Sequence, residues 1–234
     1  MISRDYFEID GKSSNTIDLY VDTIAMSAMA QRQYNEYTVE GRDESSCYKT
    51  EFLNDIVVPV PCYTFTRNYD TAALHDFIQD ARILRDPLRP DKVYRVKKVF
   101  TEVNYQGHDK TLITINFQCS PHRYAYDNPE IVVTNGDIIE NKGSAECLPV
   151  IRLTISGDGL FAVGSRVLQL FDFPQNCRIT IDGEKELVYD SNGNVLLNKT
   201  IGNLPRMERG NNTIAWSGGI DDNSVRLVKN ERWR

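Results

Sequence analysis

Three stretches of this sequence have residue types and spacings that could do chemistry. Gly157-Asp158-Gly159-Leu160-Phe161-Ala162 matches the G-x-G-x-x-A spacing, in which a glycine-rich turn lays backbone N–H groups against a pyrophosphate. That chemistry needs a helix immediately afterwards, because the helix N-terminus holds the anion. Here Leu160-Phe161-Ala162-Val163-Gly164 follows, a strand-like run, so the glycines predict a hairpin turn. Asp190-Ser191-Asn192-Gly193-Asn194 resembles a calcium loop, but its glycine comes two positions early and Ile201 stands where a bidentate Glu is required. An Asx-type turn is the expectation. Asp221-Asp222-Asn223, after two glycines, reads as a solvated loop.

The remaining reactive side chains do not assemble into a motif. His75, His108 and His122 show no i,i+4 pairing and no H-E-x-x-H. Neither a G-x-S-x-G elbow nor a phosphate-cradling Walker loop occurs. Cys47, Cys62, Cys119, Cys147 and Cys177 form no C-x-x-C pair, which leaves zinc ribbons and dithiol redox chemistry unsupported and suits a reducing compartment. Cys119 and Cys177 border strand-like runs and read as small buried residues. With 33 acidic residues a carboxylate pair could sit anywhere, so a glycosidase is neither excluded nor supported. The expectation is a non-enzyme without catalytic residues, metal or cofactor.

The elements that would position any site are mostly strands. Tyr94 to Val103 and Thr111 to Cys119 alternate with period two and predict a hairpin across Asn104 to Asp109. Further alternating runs fall at 16–21, 36–40, 55–60, 130–134, 149–156, 159–164, 166–172, 178–182, 186–190, 194–198, 212–216 and 225–229. One segment differs: Leu74, Phe77, Ile78, Ala81 and Leu84 make a single apolar stripe, predicting an amphipathic helix over about 71–85. Asp70 or Thr71 would cap it and Pro87 would stop it. Ser120 to Pro129 holds two prolines and neither alternates nor repeats, so a boundary is expected there. The reading is mainly β: an α+β N-terminal domain, 1–129, then an antiparallel β-sandwich, 130–224. The last strand, about 225–234, is free to return to the first domain.

Composition sets the outer limits. The chain has 234 residues, 41% of them hydrophobic and 26% charged, enough to build a core. No apolar run is long enough to cross a bilayer as a helix, and Met1-Ile2-Ser3-Arg4-Asp5 lacks the layout of a signal peptide, so no membrane association is expected. A net charge of −6 argues against general nucleic-acid binding, which needs a basic stripe.

An ordered series of short segments resembles the distal tail proteins of siphophages. Phe7-Glu8-Ile9-Asp10-Gly11-Lys12-Ser13-Ser14 with Leu19-Tyr20-Val21 is similar to that family's opening. Tyr37-Thr38-Val39-Glu40-Gly41-Arg42-Asp43 is similar to its strand running into Gly-Arg-Asp-Gly, with Glu44 in place of the last glycine. Phe117-Gln118-Cys119-Ser120-Pro121-His122-Arg123-Tyr124 looks like its hinge, with His122 replacing an aromatic. Ile179-Thr180-Ile181-Asp182, Val188-Tyr189-Asp190, Gly210-Asn211-Asn212-Thr213-Ile214 and Arg232-Trp233-Arg234 resemble its C-terminal part.

The resemblance implies a virion tail-tip protein, made in the host bacterial cytoplasm, that forms a homohexameric ring. The ring would join the tail tube protein to the tail-associated hub or lysin protein, with receptor-binding or other baseplate proteins as further partners. DNA would pass through its channel without specific binding. The C-terminal domain would be galectin-like, here too short to hold an inserted carbohydrate-binding module. Two residue sets follow. Met26, Met29, Tyr34, Tyr37, Val39 and Arg42 would form an arm reaching the next subunit, the other reading being a hairpin packed on its own domain. Asp5, Glu8, Asp10, Asp18 and Asp22 would face the channel and repel DNA, the other reading being a solvated face. The alternative function is a small carbohydrate-binding sandwich assisting host-surface attachment. It would need Trp216 or Trp233 as an exposed platform, whereas the alternation around Trp216 favours the core.

Overall fold

The computed structural model describes residues 6–23, 29–38, 40, 41, 43, 45–65, 71–86, 88–106 and 110–234. The chain divides into two compact units, Met1–Tyr126 with Arg234, and Asp127–Trp233. The first carries β1 (Glu8–Ile9), β2 (Lys12–Ser13), β3 (Tyr20–Val21), β4 (Arg32–Tyr37), β5 (Ser46–Leu53) and β6 (Ile56–Thr64). Helix α1 (Thr71–Ile78), β7 (Ile83–Arg85), β8 (Lys92–Gln106) and β9 (Thr111–Ala125) complete it. Its main sheet runs β2-β1-β7-β8-β9-β6-β3, while among the described residues β4 and β5 pair only with each other.

Period-two burial builds the sheet's inner face. Ile56, Val58, Val60 and Cys62 of β6 are buried, as are Ile113, Ile115, Phe117 and Cys119 of β9. Register places Val58 opposite Phe117 and Val60 opposite Ile115, so these side chains share one face. Leu74 and Ile78 of α1 close over the same core, with Phe77 edge-on to Phe7 at 6.0 Å. Each such buried side chain contributes about 1.5–3 kcal/mol.

The helix is shorter than its stripe predicts, ending at Ile78 instead of reaching 85. The Asp10 carboxylate accepts hydrogen bonds from the backbone N–H groups of Arg82 (3.1 Å) and Ile83 (2.9 Å). Asp10 returns its own N–H to the Ile83 carbonyl at 3.0 Å. Those contacts draw the chain into β7, where Leu84 pairs with Ile9 and Tyr94 and is fully buried. Leu84 belongs to the core as expected, but from a strand. Asp70 and Pro87, the expected cap and stop, lie outside the described residues, as do 107–109 of the β8–β9 turn.

A second correction concerns 120–125. These residues continue β9, with Tyr94 opposite Arg123 and Val93 opposite Tyr124. Proline is accommodated by a bulge: between the Val96–Cys119 and Tyr94–Arg123 pairs, three residues of β9 face one of β8. Pro121 falls inside that bulge, where a missing ladder N–H is tolerated.

The second unit carries β10 (Glu130–Val132), β11 (Ile138–Asn141), β12 (Val150–Val163), β13 (Arg166–Asp182) and β14 (Leu187–Asp190). After these come β15 (Thr200–Gly202), β16 (Gly210–Ile220), β17 (Arg226–Val228) and β18 (Arg232–Trp233). All pairings within the unit are antiparallel, and β17 pairs there with β10 and β12. Strands β12 and β13 are long enough to pair with different neighbours at each end. Their outer ends pair with β17 and β14, and their hairpin ends with β16 and β15. Side chains from both halves, Ile151, Ile155 and Ile181 with Phe161, Leu170 and Trp216, enter one core. The arrangement is an antiparallel sandwich made by bending a single long hairpin.

The bend occurs at the Gly157-Asp158-Gly159 run. It lies inside β12, where extra residues bulge from β13 on one side and from β12 itself against β16 on the other, and is not the turn expected between two strands. Gly157, opposite Phe173, takes φ +75°, Asp172 and Asn176 in the facing stretch of β13 take +57° and +56°, and the register slips twice. The close approach of β16 adds a second constraint: a Cβ on Gly219 would lie 1.8 Å from the Ser156 carbonyl oxygen. Only glycine fits there.

Candidate assembly surface

Hairpin β4–β5 departs from the rest of the first unit. Every residue of β4 is exposed, and none of its side chains enters the core. Its base is held by the Asn54 N–H on the Gln31 carbonyl at 2.9 Å, and Thr50 Oγ1 donates to the Gln33 carbonyl at 3.0 Å. Tyr34 faces Lys49, Asn35 faces Tyr48, and Tyr37 faces Ser46. Directly paired residues share a face, so Tyr37 and Tyr48 lie on one side and Tyr34 on the other. Exposures are 51% for Tyr34, 58% for Tyr37, 68% for Tyr48 and 73% for Phe52. A two-stranded ribbon with apolar groups on both faces is marginal in water by itself.

Of the six residues expected in an arm, Tyr34 and Tyr37 stand on this hairpin and Met29 is exposed just before it. Met26, Val39 and Arg42 lie outside the described residues. Tyr48 and Phe52 were not singled out from the sequence, although the alternation of β5 could have shown them.

A second aromatic group occupies the β3 edge of the main sheet. Tyr20 stacks on Tyr63 at 5.4 Å, Tyr63 meets Phe65 edge-on at 5.2 Å, and Tyr6 lies 5.3 Å from Tyr20. Lys110 sits over the Tyr63 ring at 4.1 Å and pairs with Asp22 at 2.7 Å. That bond lowers the Asp22 pKa below the usual carboxylate value. The i,i+2 spacing of Tyr63 and Phe65 was the available signal.

The acidic set has mostly local roles. Glu8 pairs with Arg85 at 2.9 Å, and Arg85 also lies over the Tyr126 ring at 4.0 Å. Asp10 ties β1 to β7, and Asp22 is bound to Lys110. Asp18 ends a short 3-10 turn at φ +52°. Asp5 lies outside the described residues. Among the described residues Glu8 and Asp22 are neutralised pairwise, by Arg85 and Lys110.

The chemical candidates find structural partners. Asp190 Oδ1 accepts the N–H groups of Asn192 and Asn194, both at 2.9 Å, in the expected Asx-type turn, and Oδ2 accepts the Asn194 side-chain amide at 2.8 Å; that side-chain bond first, then the backbone bonds, lower the Asp190 pKa. Asp221 Oδ1 accepts the Asn223 N–H at 3.0 Å. Asp222 is more than the solvated residue expected: its Oδ1 accepts the Trp216 indole N–H at 2.7 Å. Trp216 is buried and stacked on Phe161, as its alternation predicts, and offers no platform. His75 is exposed on α1. Burial raises the Cys62, Cys119 and Cys147 thiols to about 12, while Cys47 is exposed and Cys177 only partly covered. Among the described residues no three His, Cys, Asp or Glu side chains converge as a metal site, and no helix is long and apolar enough to cross a membrane.

No family model matches the chain, and no curated protein does so either. The comparison that decides the fold is with a solved structure, the SPP1 Dit (gp 19.1) protein, described as a paradigm of the hub adsorption apparatus in phages infecting Gram-positive bacteria. The two superpose with a TM-score of 0.69 at 16% identity, over 98% of this chain and 99% of that one. The chain has a Dit-like fold. A chain of the phage P2 baseplate in its activated conformation with calcium also aligns, over 98% of each chain, at a TM-score of 0.48 and 9% identity.

Proposed function

We propose that the chain is a structural protein of a phage tail tip, six copies of which close into a ring. The end-to-end likeness of fold to SPP1 Dit carries this reading. The exposed β4–β5 hairpin supports it physically. Its tyrosines and Phe52 need cover, and a heterologous contact repeated by rotation closes a ring without leaving one unsatisfied. The hairpin is therefore the arm that reaches the next copy, and the aromatic edge at Tyr20, Tyr63 and Phe65 is available to receive it.

In this reading the ring joins the tail tube to the hub and baseplate proteins and leaves a passage for DNA. The protein is non-enzymatic. Its net charge of −6 opposes DNA adhesion, through the chain's overall charge more than through the paired Glu8 and Asp22. Screening confines that effect to about 8 Å from the wall at physiological salt. Light-scattering mass and electron microscopy of the purified chain over a concentration series test the ring. Six-membered rings are expected; a strict monomer at every concentration, joined to its absence from assembled tails, would remove the proposal. Retention of duplex DNA at low salt would contradict the passive channel.

A further inference from the structure

The outer face of the β10-β17-β12-β13-β14 sheet carries three arginines on three adjacent strands. Register sets Arg152 directly between Arg226 and Thr180, and sets Arg178 opposite Thr154 one rung away. Their chain neighbours Ile151, Leu153, Ile179 and Leu227 are buried, so alternation turns all three guanidinium groups away from the core. Like charges directly opposed across a ladder destabilise a sheet. Something must offset them.

The protein offsets them only in part. Arg152 pairs with Glu130. Arg226 spends one Nη on the carbonyls of Asn223 (2.9 Å) and Val225 (3.1 Å). The Arg178 side chain makes no ion pair or hydrogen bond among the described residues. The nearby Asp190 carboxylate is committed to the N–H groups of its own turn. Between the arginines lies a concavity of about 370 Å³, within the range of small-molecule sites, which is also lined by the hydroxyl-bearing Thr154, Thr180 and Ser191. Guanidinium groups donate and cannot accept, so the ligand must bring acceptor oxygens and negative charge. A phosphoryl group matches their fork geometry, and the volume and hydroxyls leave room for a polar carrier beside it.

We propose that this concavity binds a phosphorylated sugar, with Arg178 and Arg226 holding the phosphate and the threonine and serine hydroxyls meeting the sugar. The site lies wholly within the second unit and does not depend on ring formation. It uses charge where an aromatic platform is missing.

The test is calorimetric titration of the full chain at low salt with glucose 1-phosphate, inorganic phosphate, glucose and a short single-stranded DNA as separate arms. Saturable binding of glucose 1-phosphate is expected, tighter than inorganic phosphate and absent for glucose. Arg178→Ala should weaken it roughly tenfold or more, the loss of one charge-assisted bond pair. Arg178→Lys should restore it only in part, since ammonium lacks the fork. Arg226→Ala gives a second reading should the first variant fold poorly. Inorganic phosphate binding as tightly as glucose 1-phosphate would overturn the sugar half of the assignment and leave a phosphate site. No saturable glucose 1-phosphate binding, an undiminished affinity in both alanine variants, or tighter binding of DNA at the same place would overturn the proposal.

Discussion

Asp10 is where the fold of the first unit departs from its local sequence preference, and its replacement gives a quantitative test. Its carboxylate receives two backbone N–H groups, Arg82 at 3.1 Å and Ile83 at 2.9 Å, while its own backbone sits at φ +49°. Hydrogen bonds to a charged acceptor contribute about 1.5–3 kcal/mol each when buried. This site is exposed, so the freed N–H groups regain water, and about 1 kcal/mol per bond is the better figure. Asp10→Gly keeps the left-handed backbone and loses both bonds, so it should cost about 2 kcal/mol. Asp10→Asn retains one carbonyl acceptor and should cost about 1 kcal/mol. Asp10→Ala adds left-handed strain and should cost about 3 kcal/mol. Urea unfolding gives the ranking, and amide hydrogen exchange reads Arg82 and Ile83 directly, expected to exchange roughly tenfold faster or more. If Asp10→Gly leaves both exchange rates and stability unchanged, the carboxylate is not what ends the helix, and the explanation of β7 fails.

Four further outcomes follow from other features. Tyr34→Ser with Phe52→Ser should abolish self-association while moving monomer stability by only about 0.5 kcal/mol, checked by light scattering and thermal melting. Gly219→Ala, with no space before the Ser156 oxygen, should destabilise the second unit by about 2 kcal/mol or more in denaturant titration. Cys62, Cys119 and Cys147, raised to about 12 in the fold, ionise from about 9 only when unfolded; the unfolded chain then binds fewer protons, so stability should hold below pH 9 and fall as pH rises towards 12. In the native protein a thiol reagent at mildly alkaline pH should modify Cys47 far faster than those three.

The sequence by itself determined the class of the protein and most of its core. Period-two alternation is a local property, so β6, β8, β9, β12 and β13 and the buried sets Ile113-Ile115-Phe117 and Ile179-Ile181 were legible, as were buried Trp216 and the Asx turn at Asp190. The ordered resemblance pointed to the fold that the SPP1 Dit superposition shows. Tertiary structure alone decided where local signals were ambiguous. The stripe from Leu74 to Leu84 suits a helix throughout, and only Asp10, some 72 residues distant in sequence, turns its end into a strand. Gly157-Asp158-Gly159 can end a strand or bend one, and the choice rests on β13 and β16 pairing across both sides of the bend. Pro121 breaks a strand unless the partner strand allows a bulge, which Val96 and Tyr94 provide. The three arginines of the outer face come from positions 152, 178 and 226, distant in sequence. Only the register of β17, β12 and β13 makes them one site, because a ladder brings together residues that no local pattern relates.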